Sequence, residues 1–317
     1  MAYAQFGLIQ ATDFNTLVGG NPTATTNTLN ATWATGSGTA GYGQTAVANV
    51  TAGNTVAANS WNSLVSNTAS AATHQGSSIT SVTAPTAGAT VTFLSAVPTN
   101  LQTIYTNRLN AATQSGTTSN AVTQGTTWTT ALTFTHTATF ANGDAARFFF
   151  NSGGQLKMTV SHADNTAGIN LLFNNLASNV GTVVLSAPSS GTANIAGTNF
   201  NGITKVGGGG SSPTISPNTG YYALTTSNAN VFTQTASTGP SGYLSSFIRF
   251  IVKSNGTQGS NGDAGSVITI STVWDEVPDG LVVGTGSTTT LTVTPPEVTN
   301  IANTWGTITL AGSVTGS

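Results

Sequence analysis

Ionic side chains are nearly missing from this sequence: six Lys or Arg and eight Asp or Glu in 317 residues, 4% of the chain. A typical soluble domain carries about 25%. The polar groups are instead small and neutral, with 61 Thr, 32 Ser and 30 Asn. Charge keeps proteins apart in solution. A chain with so little of it, yet rich in Val, Ile, Phe and Thr that favour strands, is poorly protected against association. We expect it to lie inside an ordered assembly. Thr and Asn suit such packing because they hydrogen-bond across strands without ion pairs that salt would screen.

The same arithmetic excludes several classes. A net charge of −2 with six cations is too weak a field to hold nucleic acid by counterion release. No segment approaches the roughly 20 apolar residues of a membrane span, so no membrane insertion is expected. Met1-Ala2-Tyr3-Ala4-Gln5-Phe6 lacks the basic start of a signal peptide, so none is expected. The absence of Cys removes disulfides, thiolate catalysis and zinc fingers. Hydrophobic residues still reach 38%, enough for a chain of this length to bury a large core.

Hydrophobic periodicity divides the chain into three parts. Residues 1–125 read as a docking region with helices over 55–74 and 100–112. Trp61, Leu64, Val65 and Thr68 fall on one helical face before Gly76, and Leu101, Ile104, Tyr105, Arg108 and Leu109 on another. A shorter turn over 14–18 takes Asp13 as its N-cap and stops at Gly19-Gly20. Residues 126–205 read as a small α+β unit. In it Leu132, Phe134 and Ala138 alternate with Thr, and His136 is assigned to the Thr face. A turn over 141–144, an apolar run at 145–150, a strand over 155–162, a helix over 168–179 and a strand over 182–185 complete it. Gly207-Gly208-Gly209-Gly210-Ser211-Ser212-Pro213 is either a linker between domains or a loop within one. Residues 214–317 read as a β-sandwich-like domain with strands at 221–224, 230–233, 245–253, 266–274, 288–294 and near 307–310, separated by turns such as Asn261-Gly262. Arg249 and Lys253 on one of these strands read as edge protection. The expected fold is thus an α+β N-terminal half with short helices and a small sheet, and a mainly-β, sandwich-like C-terminal half.

Groups able to do chemistry are few. The histidines are His74, His136 and His162, the last near Asp164. A His-Asp pair can orient an imidazole as a base or bind a metal, but a surface or loop histidine beside an acid is the expected reading. Asp275, Glu276 and Asp279 form the one acidic cluster. Three carboxylates can supply oxygens to Ca²⁺, yet a solvated turn is the simpler account and the cation question stays open. The Gly run lacks the Lys-Ser/Thr tail of a phosphate loop. Phe148, Phe149 and Phe150 are assigned to the core, with Asp144 and Arg147 paired at i, i+3. Tyr221, Tyr222, Tyr243 and Trp274 are the candidate glycan-stacking or interface aromatics. No catalytic residue, metal ligand or cofactor is expected.

The block Phe140-Ala141-Asn142-Gly143-Asp144-Ala145-Ala146-Arg147-Phe148-Phe149-Phe150-Asn151-Ser152-Gly153-Gly154-Gln155-Leu156 resembles virion structural proteins of tailed bacteriophages, many from marine hosts. So do Gly41-Tyr42-Gly43-Gln44, Ser60-Trp61-Asn62-Ser63-Leu64 and His74-Gln75-Gly76. The resemblance covers about residues 1–190. It implies a tail, neck or fibre component in many copies, made in the host cytoplasm, with itself and other virion proteins as partners and no cofactor. Non-enzymatic homo-oligomeric assembly is the leading expectation. A receptor-binding adhesin for host surface glycan and a capsid decoration protein are the alternatives. A depolymerase ranks last because it needs paired carboxylates or a His-acid pair in a cleft.

Overall fold

The computed structural model describes residues 9–19, 27–210, 213–256 and 265–316. Helices fill the N-terminal part: α1 (Ala11–Val18), α2 (Leu29–Thr32), α3 (Ala58–Gln75) and α4 (Ala96–Thr106). Then follow β1 (Thr118–Thr123), β2 (Ala131–Thr139), α5 (Gly143–Asn151), β3 (Gln155–His162), α6 (Ile169–Val180) and β4 (Thr182–Leu185). Short strands β5 (Ala193–Ile195), β6 (Thr198–Phe200), β7 (Ile203–Val206) and β8 (Thr214–Ile215) lead into the long ones. These are β9 (Ala229–Thr235), β10 (Phe247–Ser254), β11 (Val267–Asp275), β12 (Ser287–Thr294) and β13 (Thr309–Gly316). The N-terminal half is α+β and the C-terminal half is β-rich, in keeping with the periodicity.

Two antiparallel sheets carry the architecture. One has the order β1-β12-β3-β4-β7, the other β13-β2-β11-β10-β9-β8, and β5-β6 form a small ribbon. Their inner faces meet: Leu156, Met158 and Leu185 of the first sheet pack against Phe250, Val252 and Ile270 of the second. The strands cross the boundary expected between 126–205 and 214–317. β2 lies between β11 and β13, and β12 lies between β1 and β3. The sandwich is therefore built from both stretches, because alternation sets which face a strand buries but not which strand it pairs with. The Gly207–Gly210 stretch is correspondingly a loop within the sandwich, between β7 and β8.

Helices close the ends of the sandwich. α6 packs on β3, β9 and β10 and buries Ile169, Leu172, Phe173, Leu176, Ala177 and Val180. Leu171, on the opposite face, is 42% exposed. At the other end α5 begins at Asn142, whose side chain accepts from the Ala145 amide as an N-cap should. Its Phe149 and Phe150 are buried against Phe140, Tyr221 and Trp305. Tyr221 lies in a 3₁₀ turn, Tyr221–Ala223, where a strand was expected. α1 starts at Gln10. Asp13 sits three residues inside it and accepts from the Gln10 amide, as the second half of a capping box. Gly19 ends it in the left-handed region, while Gly20 and Asn261-Gly262 lie outside the described residues. α3 matches the periodicity and stops at Gly76, φ 68°. α4 starts and stops earlier than the expected 100–112. α3 and α4 pack on each other, with Trp61 edge-on between Phe14 and Phe93 at 5.0 and 5.6 Å.

The helical part is tied to the sandwich through segment 36–44. The buried Arg147 donates to Ala40 O at 2.9 Å and to Asp144 Oδ1 at 2.7 and 3.1 Å, the i, i+3 pair expected. Asn151 Nδ2 donates to Gly38 O and Gly41 O. Gln44 and Ala302 exchange two hydrogen bonds of 2.9 Å, and Thr304 Oγ1 donates to Tyr42 O. Gly41 is obligatory here: at φ 101° an added Cβ would lie 2.1 Å from Thr35 O.

Candidate functional site

All three histidines are buried. His136 shares the inner face of β2 with Leu132, Phe134 and Ala138, and not the Thr face, because residues two apart on a strand point the same way. Its Nδ1 lies 3.2 Å from Asn120 Oδ1 of β1. His162 Nδ1 lies 3.0 Å from Ser287 Oγ, across the β3–β12 pairing. Asp164 is close enough to act on this imidazole electrostatically, so Ser, His and acid are neighbours. Both Ser287 and His162 nevertheless face the interior, beside the Trp274 ring at 6.3 Å. The Asp164 oxygens are occupied by the Thr166 amide and the Asn170 side chain. A nucleophile needs contact with its substrate, and this hydroxyl faces packed side chains. His74 contacts Ser152 O at 3.2 Å and the edge of the Tyr42 ring at 5.2 Å.

Burial lowers the pKa of each of these imidazoles, and that of His74 falls to about 4, against a partial offset from Glu297 and the Ser152 carbonyl. The unfolded chain binds these protons near 6.5 and the folded one does not. Stability is therefore complete above pH 6.5 and drains away as the pH falls from there toward 4. For His74 alone the loss is on the order of 3 kcal/mol. The buried carboxyl of Glu276 has a raised pKa and opposes this trend only in the carboxylate range. Urea midpoints should accordingly drop between pH 6.5 and 5, and His74→Gln should flatten that slope.

The acidic cluster is not a uniformly solvated turn: Asp279 is exposed, Asp275 half-buried and Glu276 buried. Glu276 is fully buried, and its carboxylate accepts from the Gly280 and Leu281 amides at 3.2 and 2.9 Å. It clamps the loop that follows β11. Among the described residues no group of three or more His, Asp or Glu could hold a metal ion.

Two of the four candidate aromatics are core groups. Tyr221 is fully buried and stacks on Phe150 at 4.3 Å. Trp274 is fully buried among Phe134, His162 and Phe173, because it shares strand parity with Ile268 and Ile270. Tyr222 and Tyr243 are half-buried, and the Tyr222 hydroxyl is engaged by Gly38 O and Asn151 Oδ1. The four aromatics do not form one platform.

The outer sheet faces are dominated by Thr, with Arg249 and Lys253 on one and Lys157 on the other. Thr133, Thr135, Thr137 and Thr139 point out of one sheet and Thr288, Thr290 and Thr292 out of the other. Cross-strand hydroxyl pairs knit the second face, Ser119 with Thr292 and Thr123 with Thr288, each at 2.8 Å. Arg249 and Lys253 lie on β10, which is flanked by β9 and β11, so they are interior to the sheet and not at its edge. The outer strands β1 and β13 carry no charge. A groove of about 410 Å³ also runs between α3, α4 and residues 77–82, lined by groups such as Leu64, Ile79 and Val97. No helix among the described residues is long and apolar enough to cross a membrane. Comparison with protein-family models, curated proteins and solved structures returned no match.

Proposed function

We propose that this chain is a non-enzymatic structural subunit of a tailed bacteriophage virion, a tail, neck or fibre component that works by associating with copies of itself and with other virion proteins. The observation that carries the assembly reading is the pair of uncharged edge strands, β1 and the mostly exposed β13. A strand edge presents unpaired amides and carbonyls, and solitary proteins blunt such edges with charge, proline or cover. The phage attribution rests on the resemblance of the 140–156 block and the shorter stretches before it. Two buried groups, Tyr221 and Trp274, are withdrawn from the glycan-binding alternative.

Light scattering on the purified chain at micromolar concentration tests the assembly reading. The expected result is discrete multimers of the 31.7 kDa chain. A clean monomer overturns it. Gold labelling of intact particles with an antibody against this chain then assigns it to tail, neck, fibre or head.

A further inference from the structure

The two sheets have four edges, and they are not alike. On one side lie β7 and β8. β8 has two residues; β7 has four and includes Lys205. Gly208 packs back on Gly181, where an added Cβ would meet Asn179 O at 2.6 Å, and the chain passes from one sheet to the other on this side. These are the usual ways of blunting an edge. On the opposite side lie β1, six residues, and β13, eight residues. Neither contains a charged residue or proline. Indeed no charge or proline occurs anywhere between Leu109 and Gly143 or between Val298 and Gly316. Both strands keep unbroken register with their single neighbours, β12 and β2, so no bulge twists either edge away. Six of the eight β13 residues are exposed.

β1 and β13 also lie close to each other. An added Cβ on Gly312 would meet Asn120 Oδ1 and Val122 Cγ2, each at 2.5 Å. Glycine at that point lets β13 settle onto β1, and the two edges, each without a second neighbouring strand among the described residues, run side by side.

From this placement we infer that the β1/β13 side is a homotypic interface: β13 pairs antiparallel with β13 of a second copy about a twofold axis, extending the six-stranded sheet across the dimer. The inference deepens the assembly reading and rests on it. An antiparallel edge is self-complementary under a twofold, since each strand offers its partner the same alternation of amides and carbonyls. A neutral edge does not repel its own copy. Because β1 lies alongside, an axis perpendicular to the sheets lets the two β1 strands approach in the same way, so both layers of the sandwich continue into the partner. An extended peptide of another protein would satisfy the backbone of one edge, but it gains nothing from two parallel layers ending together.

The absence of Cys makes the test clean. Single variants Ala311→Cys, Ser313→Cys and Thr315→Cys, on the outer face of β13, are treated with a short bismaleimide in the full-length chain. Thr235→Cys, on β9 toward the opposite side, is the reference. We expect at least one β13 variant to form covalent dimer at ten or more times the reference yield. Separately, the double variant Ala311→Lys/Ser313→Lys should halve the mass of the dimeric unit in light scattering while keeping the wild-type urea midpoint. Wild-type multimers that persist in the lysine variant, with no cross-linking above the reference, overturn the β13 interface and leave the assembly reading standing. A monomeric wild type overturns both.

Discussion

Trp274→Ala is expected to destabilise the chain by about 3–5 kcal/mol, the range for removing a buried Trp side chain. Trp274 is fully buried, with ring centroids of Phe173, Phe134 and His162 at 6.0, 6.1 and 6.3 Å. It joins three elements, β2, β3 and α6, so the cavity cannot close by moving one of them. A urea titration followed by circular dichroism measures the loss. A change below about 1 kcal/mol would show that the residue is not packed as described. The same result bears on glycan recognition: any binding lost in this variant must be separated from the lost fold, whereas Tyr243, half-buried at the surface, is the cleaner position to probe.

The second large effect concerns Asp144, a residue whose side chain is 45% exposed. Its Arg147 partner is 2% exposed, and this is the one ion pair among the described residues. Removing a surface acid is usually cheap. Here Asp144→Ala would strand a guanidinium in the interior, for which the expected cost is about 3–5 kcal/mol. Arg147→Met should cost less, about 2–3 kcal/mol. The remaining carboxylate can turn to water, and the loss is mainly the orphaned Ala40 carbonyl and its hydrogen bonds. Denaturant unfolding of both single variants and the double checks the ordering. If Asp144→Ala proves milder than Arg147→Met, the guanidinium is not held away from water as the geometry requires. The double variant should resemble Arg147→Met, because no buried charge is left to penalise it.

Much of the fold was legible where a strand buries one face. β2, β3, β11 and β12 alternate buried, mostly apolar residues with less buried, mostly polar ones, and their boundaries agree with the pattern. β1 and most of β13 escaped, because edge strands exposed on both faces need no apolar alternation. Tyr221-Tyr222-Ala223-Leu224 looked like a strand since its side chains are apolar, but a tight turn buries Tyr221 against α5 and leaves Ala223 exposed. Partnership was not legible at all. That β2 joins β11, and β12 joins β3, depends on contacts more than a hundred residues apart, which local periodicity does not encode. At the candidate sites, strand parity alone would have moved His136 and Trp274 to the interior. Glu276, one residue past β11, shares that parity, but the loop amides that receive its carboxylate had no signal in the sequence.

The position of β2 has a consequence for biosynthesis. Both of its neighbours lie far downstream, β11 beginning at Val267 and β13 at Thr309. A ribosome adding about 5–20 residues per second takes roughly ten seconds to travel from the end of β2 to the start of β11. Throughout that interval the nascent chain presents Leu132 and Phe134 with no sheet to enter. Its contacts are dominated by distant pairings, which slows folding and lengthens exposure to misassociation. Chaperones that hold emerging polypeptides would therefore govern how much of this protein reaches its native form.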